Sequence, residues 1–132
     1  MYERPESNLE LTRKKLEHAN RFYAENDLTE TVHYIWVIFE NCINIVKDIK
    51  NNAPLYKHRS KIDLFSIYYS LGILKKDYSS TFAILVKLRI RADFGEYSQV
   101  PKIPGKEKIK EYLDETTNLF KETEQIVKGL KR

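Results

Sequence analysis

A short stretch late in the chain, residues 88–97 (LRIRADFGEY), holds the side chains best suited to phosphate chemistry. An arginine followed closely by a histidine could cleave a phosphodiester, with the guanidinium holding the phosphate and the imidazole moving the proton. Arg89 supplies the cation, but the residue five positions on is Phe94, whose ring carries no titratable proton. The stretch therefore has the form of an active-site scaffold without its acid/base.

Arg89 and its neighbours allow two interpretations. Asp93 follows Arg89 by one helical turn, so the two could form a structural ion pair. Alternatively, Arg89 could engage a phosphate or an acidic group of a partner. Arg91 would lie about 200° around the helix axis from Arg89, so the two arginines face different surroundings. The sequence does not decide which of them faces a cleft.

A second cationic segment lies in the middle of the chain. It contains Lys50, Lys57, His58, Arg59 and Lys61, with no acidic residue until Asp63. One interpretation is a solvated loop and helix start, and the other is an electrostatic landing site for phosphate. The net charge of +4 permits a nucleic-acid partner without demanding one.

Composition limits the broad class of the protein. A chain of 132 residues predicts one domain, residues 1–132, and only four glycines and four prolines favour long helices over many short strands. The single cysteine, Cys42, lies in an apolar run and is expected to be buried. No apolar run reaches the ~18 residues of a membrane span, and residues 1–6 contain no apolar signal region. We therefore expect a cytoplasmic protein that does not enter the membrane.

Apolar residues recur at steps of three and four along most of the chain, which predicts an all-α, up-and-down antiparallel bundle of about five helices. The expected caps at the starts of the first four helices are Ser7, Asp27, Ser60 and one of Asp77, Ser79 or Ser80, and Gly72 is expected to end the third helix. The predicted helices cover about residues 7–25, 28–50 and 61–71, then from one of the caps at 77–80 to about 93, and from about 104 to 130. The second is apolar on most sides and should therefore pack against several neighbours.

Metal and cofactor chemistry find little support in the sequence. The three histidines fall in different predicted helices or loops, and none has a Cys, His or acidic partner at ligand spacing on its own helix, except that His33 and Glu40 lie two turns apart. No glycine-rich phosphate loop is present, so nucleotide hydrolysis of the P-loop type is excluded. We predict no metal site and no cofactor.

Three segments together resemble one branch of the HEPN superfamily. Residues 89–95, Arg-x-x-Ala-Asp-Phe-Gly, resemble its Arg-x-x-Ala-Asp-Tyr-Gly signature. The aromatic-rich run at 31–40 resembles its central helix, and His58–Lys61 followed by Phe65 resembles its histidine-containing turn. The resemblance extends over about residues 11–127.

This resemblance implies an antiparallel helical bundle that assembles as a symmetric dimer. Catalytic members are metal-independent ribonucleases that use an arginine and a histidine, separated by four to six residues, near the end of a late helix. Arg89 matches the arginine, whereas the histidine positions fall on Phe94, Gly95 and Glu96. Other members pair with a small nucleotidyltransferase, and in some systems a tyrosine after the motif is modified. Tyr97 is nearby but not at that spacing.

The leading functional hypothesis is a non-catalytic HEPN-like binding module. It would be a homodimer and would partner a minimal nucleotidyltransferase in a toxin–antitoxin or nucleotide- or RNA-handling system. One alternative is a metal-independent ribonuclease with a displaced acid/base, for which His58 is the candidate. Another is an RNA-binding bundle in which Lys50, Lys57, Arg59 and Lys61 contact phosphates.

Overall fold

The computed structural model describes residues 3–50, 60–94 and 103–129, and the side chains of residues 3 and 90–94 lie outside this description. The described ranges contain five helices and no strand, which confirms the all-α class. The helices are α1 (Glu3–Ala24), α2 (Leu28–Lys50), α3 (Lys61–Ser70), α4 (Ser79–Phe94) and α5 (Lys106–Gly129).

Helix α2 is the central element of the bundle, as its sequence predicts. It packs against all four other helices. Its side chains Val32, Ile35, Ile38 and Phe39 are fully buried. A helix that is apolar on most sides is stable only when neighbours cover those sides, so α2 organises the core around itself.

The four long helices alternate in direction. This follows from their contacts, in which residue numbers rise along one helix as they fall along its neighbour. The contacting pairs are Arg4–Asp48 and His18–Tyr34 for α1 and α2, Phe82–Phe39 and Arg89–Trp36 for α4 and α2, and Glu124–Arg13 and Lys106–Tyr23 for α5 and α1. The up-and-down arrangement is therefore confirmed, with the short helix α3 inserted between α2 and α4.

Contacts between aromatic rings hold α3 and α4 against α2. The rings of Phe65 and Phe82 have centroids 5.2 Å apart, and Phe39 stacks on Phe82 at 6.1 Å with the ring planes 7° apart. Such pairs add to the free energy of simple area burial. They fix how far along α2 the helix α4 sits.

Two helix starts carry the predicted caps. Ser60 Oγ accepts the backbone N–H of Asp63 at 3.2 Å before α3, and Asp27 Oδ1 accepts that of Glu30 at 3.2 Å at the start of α2. These side chains satisfy donors that the first turn of a helix leaves unpaired. Gly72, with φ of +76°, follows the end of α3 in the left-handed conformation that favours glycine.

The start of α1 differs from the prediction. The spacing of Ser7 and Glu10 predicts a cap at Ser7, but α1 begins at Glu3 and Ser7 lies inside it. Pro5 falls in the first turn, where its missing N–H costs no helical hydrogen bond. The predicted cap at Ser7 is therefore wrong, because the polar residues before it extend the helix.

Two glutamates of α5 hold the connection between α3 and α4. Glu122 accepts the backbone N–H of Lys75 at 2.6 Å and the hydroxyl of the buried Tyr78. Burial and the neighbouring Glu122 carboxylate raise the pKa of Tyr78. Glu115 pairs with Lys76 at 2.6 Å and accepts the Thr81 hydroxyl at 2.9 Å. The conformation of the connection between α3 and α4 therefore depends on contacts with α5, which lies more than thirty residues away in sequence.

Asp77 caps the start of α4, one of the three cap residues that the sequence offers. Its Oδ1 accepts the Ser79 N–H at 2.9 Å, and its Oδ2 accepts the Ser66 hydroxyl at 3.1 Å. The hydrogen bonds from Ser79, with a smaller one from Ser66, hold the pKa of Asp77 below its ordinary value.

Candidate binding site

Arg89 is a cation built into an otherwise apolar row of α4. Leu85 and Leu88 beside it are buried, and Arg89 itself is partly buried. Its guanidinium carbon lies over the Trp36 ring, 4.3 Å from the ring centroid. A cation over an indole face is attracted by the negative charge of the π-system, and this attraction grows as water is removed. Helix α2 therefore positions the arginine that the sequence analysis singled out.

Trp36 brings a polar group of its own to this place. The ring packs partly buried against the core, and its Nε1 atom is buried without a hydrogen-bond partner among the described residues. A buried indole N–H usually finds an acceptor. Trp36 and Arg89 therefore bring N–H donors to one place, which suits a carboxylate or phosphate rather than a cation.

Lys61 is the second predicted binding residue whose side chain is described. It opens α3, and its Nζ pairs with the carboxylate of Glu40 on α2. Glu40 lies four residues beyond Trp36, one turn along the same side of α2. Helix α2 thus brings together two cations from separate segments of the chain, Arg89 on Trp36 and Lys61 on Glu40.

The remaining predicted site residues lie outside the described part of the chain. These are Lys57, His58, Arg59 and Tyr97, together with the side chains of Arg91, Asp93 and Phe94. The predicted ion pair between Arg89 and Asp93 stays a prediction.

Sequence reasoning missed the roles of Trp36 and Glu40. Both residues stand in the aromatic run that carries the resemblance, but nothing in a single sequence says which residue of α4 meets which residue of α2. The four-residue spacing of Trp36 and Glu40 was the available signal, because it places an aromatic face and a carboxylate on one side of a helix.

The described histidines form a different cluster, between α1 and α2. The rings of His18 and His33 each lie 5.5 Å from that of Tyr34, and Phe22 stacks on Tyr34 at the same distance. Lys15 Nζ lies 5.7 Å from the Tyr34 centroid. Within the described ranges no group of three or more His, Cys, Asp or Glu side chains could hold a metal ion.

Cys42 is fully buried in α2, as its apolar surroundings predict. Burial raises the pKa of its thiol to about 12, and a hydrogen bond with Thr123 offsets only part of this effect. A thiol with that pKa stays protonated near neutral pH and is a poor nucleophile.

The arrangement around Trp36 can hold an anionic group, and its described side chains offer one carboxylate, Glu40, which Lys61 already engages.

No described helix is long and apolar enough to cross a membrane. Comparisons of the chain with models of protein families, with curated proteins and with solved structures find no match.

Proposed function

We propose that this chain is a non-catalytic, HEPN-like binding module that forms a homodimer and partners a minimal nucleotidyltransferase. Arg89 is the centre of its partner-binding site, and it would engage a carboxylate or phosphate of that partner. The observation that carries the proposal is the contact of Arg89 with Trp36, one turn of α2 away from the Lys61–Glu40 pair.

The contact supports binding because the indole ring, which carries no net charge itself, holds the guanidinium in a defined place. A guanidinium held over an aromatic face keeps its full positive charge, and its N–H groups point outward in the guanidinium plane. Trp36 thereby reduces the conformational freedom that a long side chain must lose on binding an anion. A pre-positioned cation favours association.

The choice against catalysis rests on the sequence. The position where the resembling family carries its histidine is Phe94, and an aromatic hydrocarbon neither accepts nor donates a proton. General acid–base catalysis is typically worth about 10²–10⁴-fold in rate. A guanidinium without it can bind a phosphodiester but accelerates its cleavage little.

The test of partner binding starts from the reading frame next to this one in the genome, which the proposal expects to encode a minimal nucleotidyltransferase, and uses its product. The two purified proteins are mixed, and light scattering after size-exclusion chromatography gives the mass of the complex. We expect a stable complex that Arg89→Ala weakens and that Lys87→Ala, an exposed cation on the same helix, leaves intact. Absence of a complex with the unmodified chain would contradict the proposal.

A second measurement separates binding from ribonuclease activity. RNA is incubated with the chain after chelation of divalent metals, and its degradation is followed by gel electrophoresis. We expect no degradation above that in buffer. Degradation that is abolished by both Arg89→Ala and His58→Ala would replace the binding module with an enzyme whose acid/base is His58.

A further inference from the structure

A pocket of about 300 Å³ lies where the connection between α3 and α4 meets α5. Two partly buried aliphatic side chains line it, Ile73 of the connection and Ile126 of α5, and both also pack against the core. The other lining residues are polar or charged: Lys75, Lys121, Glu122 and Gln125. The pocket therefore combines a small apolar surface with a few polar groups, the composition that is typical of ligand sites.

Hydrogen bonds within the chain hold the connection in the shape that forms this pocket. Glu122 accepts the backbone N–H of Lys75 at 2.6 Å, and its other oxygen accepts the hydroxyl of the buried Tyr78. Leu74, between the two lining residues of the connection, is buried in the core. Because these contacts exist without a ligand, a ligand can bind here with little loss of conformational freedom in the chain.

Two ammonium groups at this pocket are unpaired within the described part of the chain. The side chains of Lys75 and Lys121 are exposed, and neither forms an ion pair or a hydrogen bond with another described residue. The carboxylates of the surrounding residues already have partners in the chain: Glu122 binds Lys75 N–H and Tyr78, Glu115 binds Lys76 and Thr81, and Asp77 binds Ser66 and Ser79. The pocket therefore carries a net positive charge.

Exposed apolar side chains lie beside the pocket at the end of α3. Leu71 is 55% exposed and Tyr69 is 47% exposed, and both lie within four residues of Ile73. Apolar surface that is bordered by polar residues marks places where a protein binds another molecule. The aliphatic surface available to an occupant is thus larger than the pocket itself.

We propose that this pocket binds an acidic peptide segment of another protein, in which an aliphatic residue is flanked by Asp or Glu. The aliphatic side chain of the peptide contacts Ile73 and Ile126, and its carboxylates pair with Lys75 and Lys121. The exposed carboxamide of Gln125 can donate to and accept from the peptide backbone.

The lining favours a peptide over a fatty acid. Only two of the six lining residues are aliphatic, which covers one branched side chain but leaves most of a long acyl chain in water. Lys75 and Lys121 belong to different elements of the fold, so they can engage two carboxylates at once. An acidic peptide offers several carboxylates, whereas a fatty acid offers one.

This pocket is separate from the site that contains Arg89. It adjoins the start of α4, and Arg89 lies about 15 Å farther along that helix than Ser79. The inference therefore goes beyond the proposed function and does not depend on it. The chain can bind a peptide here whether or not a partner occupies the Arg89 site.

The test follows the backbone amide signals of the isotope-labelled full chain by NMR while a peptide is added. The probe is acetyl-Glu-Leu-Glu-Glu-amide, and two analogues replace its Leu with Ser or every Glu with Gln. We expect the probe to shift the signals of Ile73 and Ile126 with a dissociation constant of about 1 mM or below. Each analogue should bind at least about threefold more weakly, since it lacks either the apolar contact or the ion pairs.

Lysine variants test the charge contacts without disturbing the core. Lys75→Gln combined with Lys121→Gln should raise the dissociation constant of the probe about three- to tenfold, the range expected for two exposed ion pairs. Lys14→Gln combined with Lys87→Gln removes two exposed lysines elsewhere and leaves the same net charge, so this matched control should bind as the unmodified chain does. Arg89→Ala should also leave the affinity for the probe unchanged.

Three results would overturn the proposal. They are unmoved signals of Ile73 and Ile126 at about 10 mM probe, equal affinity for the Gln analogue, and equal affinity of the variant that lacks Lys75 and Lys121. Tighter binding of decanoate than of the probe at the same signals would overturn the choice of a peptide. Absence of a complex with a nucleotidyltransferase would contradict the proposed function alone, because that complex is expected at Arg89.

Discussion

The guanidinium of Arg89 lies over the indole of Trp36 and thereby connects α4 to α2, the central helix of the bundle. The contact gives the Arg89 side chain a defined place against α2. Because Trp36 is the only tryptophan in the chain, its fluorescence can be used to follow the contact.

Replacing Arg89 with alanine should change the fluorescence of Trp36. Removal of the cation alters the electrostatic field at the indole, and the lost contact is expected to lower the free energy of unfolding by about 0.5–2 kcal/mol. Emission spectra and urea unfolding check both effects. Lys87→Ala is the matched control, and an unchanged emission spectrum in Arg89→Ala would contradict the contact.

Replacing Tyr78 with phenylalanine should destabilise the chain by about 1–3 kcal/mol, because Glu122 then loses a hydroxyl donor in a partly buried place. Chemical unfolding of Tyr78→Phe measures the cost. Tyr69→Phe removes a hydroxyl from a side chain that is 47% exposed and should cost far less. Equal costs for the two variants would show that the Glu122 hydrogen bond contributes little.

The Asp77 cap should make stability depend on pH. The pKa of Asp77 is lowered from 3.8 in the folded chain, so its charged form stabilises folding above that value. The advantage is lost as the pH falls through the folded-state pKa. Asp77→Ala should therefore cost about 0.5–2 kcal/mol near neutral pH and progressively less toward about pH 2. Unfolding at a series of pH values checks this, and a gap that widens in acid would refute it.

Cys42 should not react with thiol reagents while the chain is folded. Burial keeps the thiol inaccessible and raises its pKa to about 12, so the thiolate is scarce near neutral pH. A colorimetric disulfide reagent should detect no thiol in the native chain and one thiol per chain in guanidinium chloride. Rapid native labelling would mean that α2 opens at this position.

Much of the helical pattern could be predicted because it depends on neighbours in sequence. The Ser60 cap, the glycine after α3 and the burial of α2 all follow from residues within a few positions of one another. The start of α1 could not be fixed in this way, because Ser7 has good cap chemistry but the residues before it also accept a helical conformation.

The contacts between helices could not be predicted from periodicity. A repeat of three and four residues gives the face that a helix buries, but not the height at which two helices meet. Arg89 could be singled out as a candidate site residue from its own surroundings in sequence. Its contact with Trp36 depends on how the rings of Phe39 and Phe82 place α4 against α2. The contacts of Glu115 and Glu122 with the α3–α4 connection could not be predicted for the same reason.

The anchoring of that connection by α5 has a consequence for synthesis on the ribosome. Translation produces α1 to α4 before Glu115 and Glu122 exist, so Tyr78 and the backbone of Lys75 emerge without the carboxylate that they bind in the finished fold. Arg13 likewise cannot form its ion pair with Glu124 until a further 111 residues have been synthesised. A nascent chain stalled before α5 would therefore expose the apolar surfaces of α1 and α2 that α5 covers in the finished fold. Chaperones bind exposed apolar surface of this kind until folding is complete.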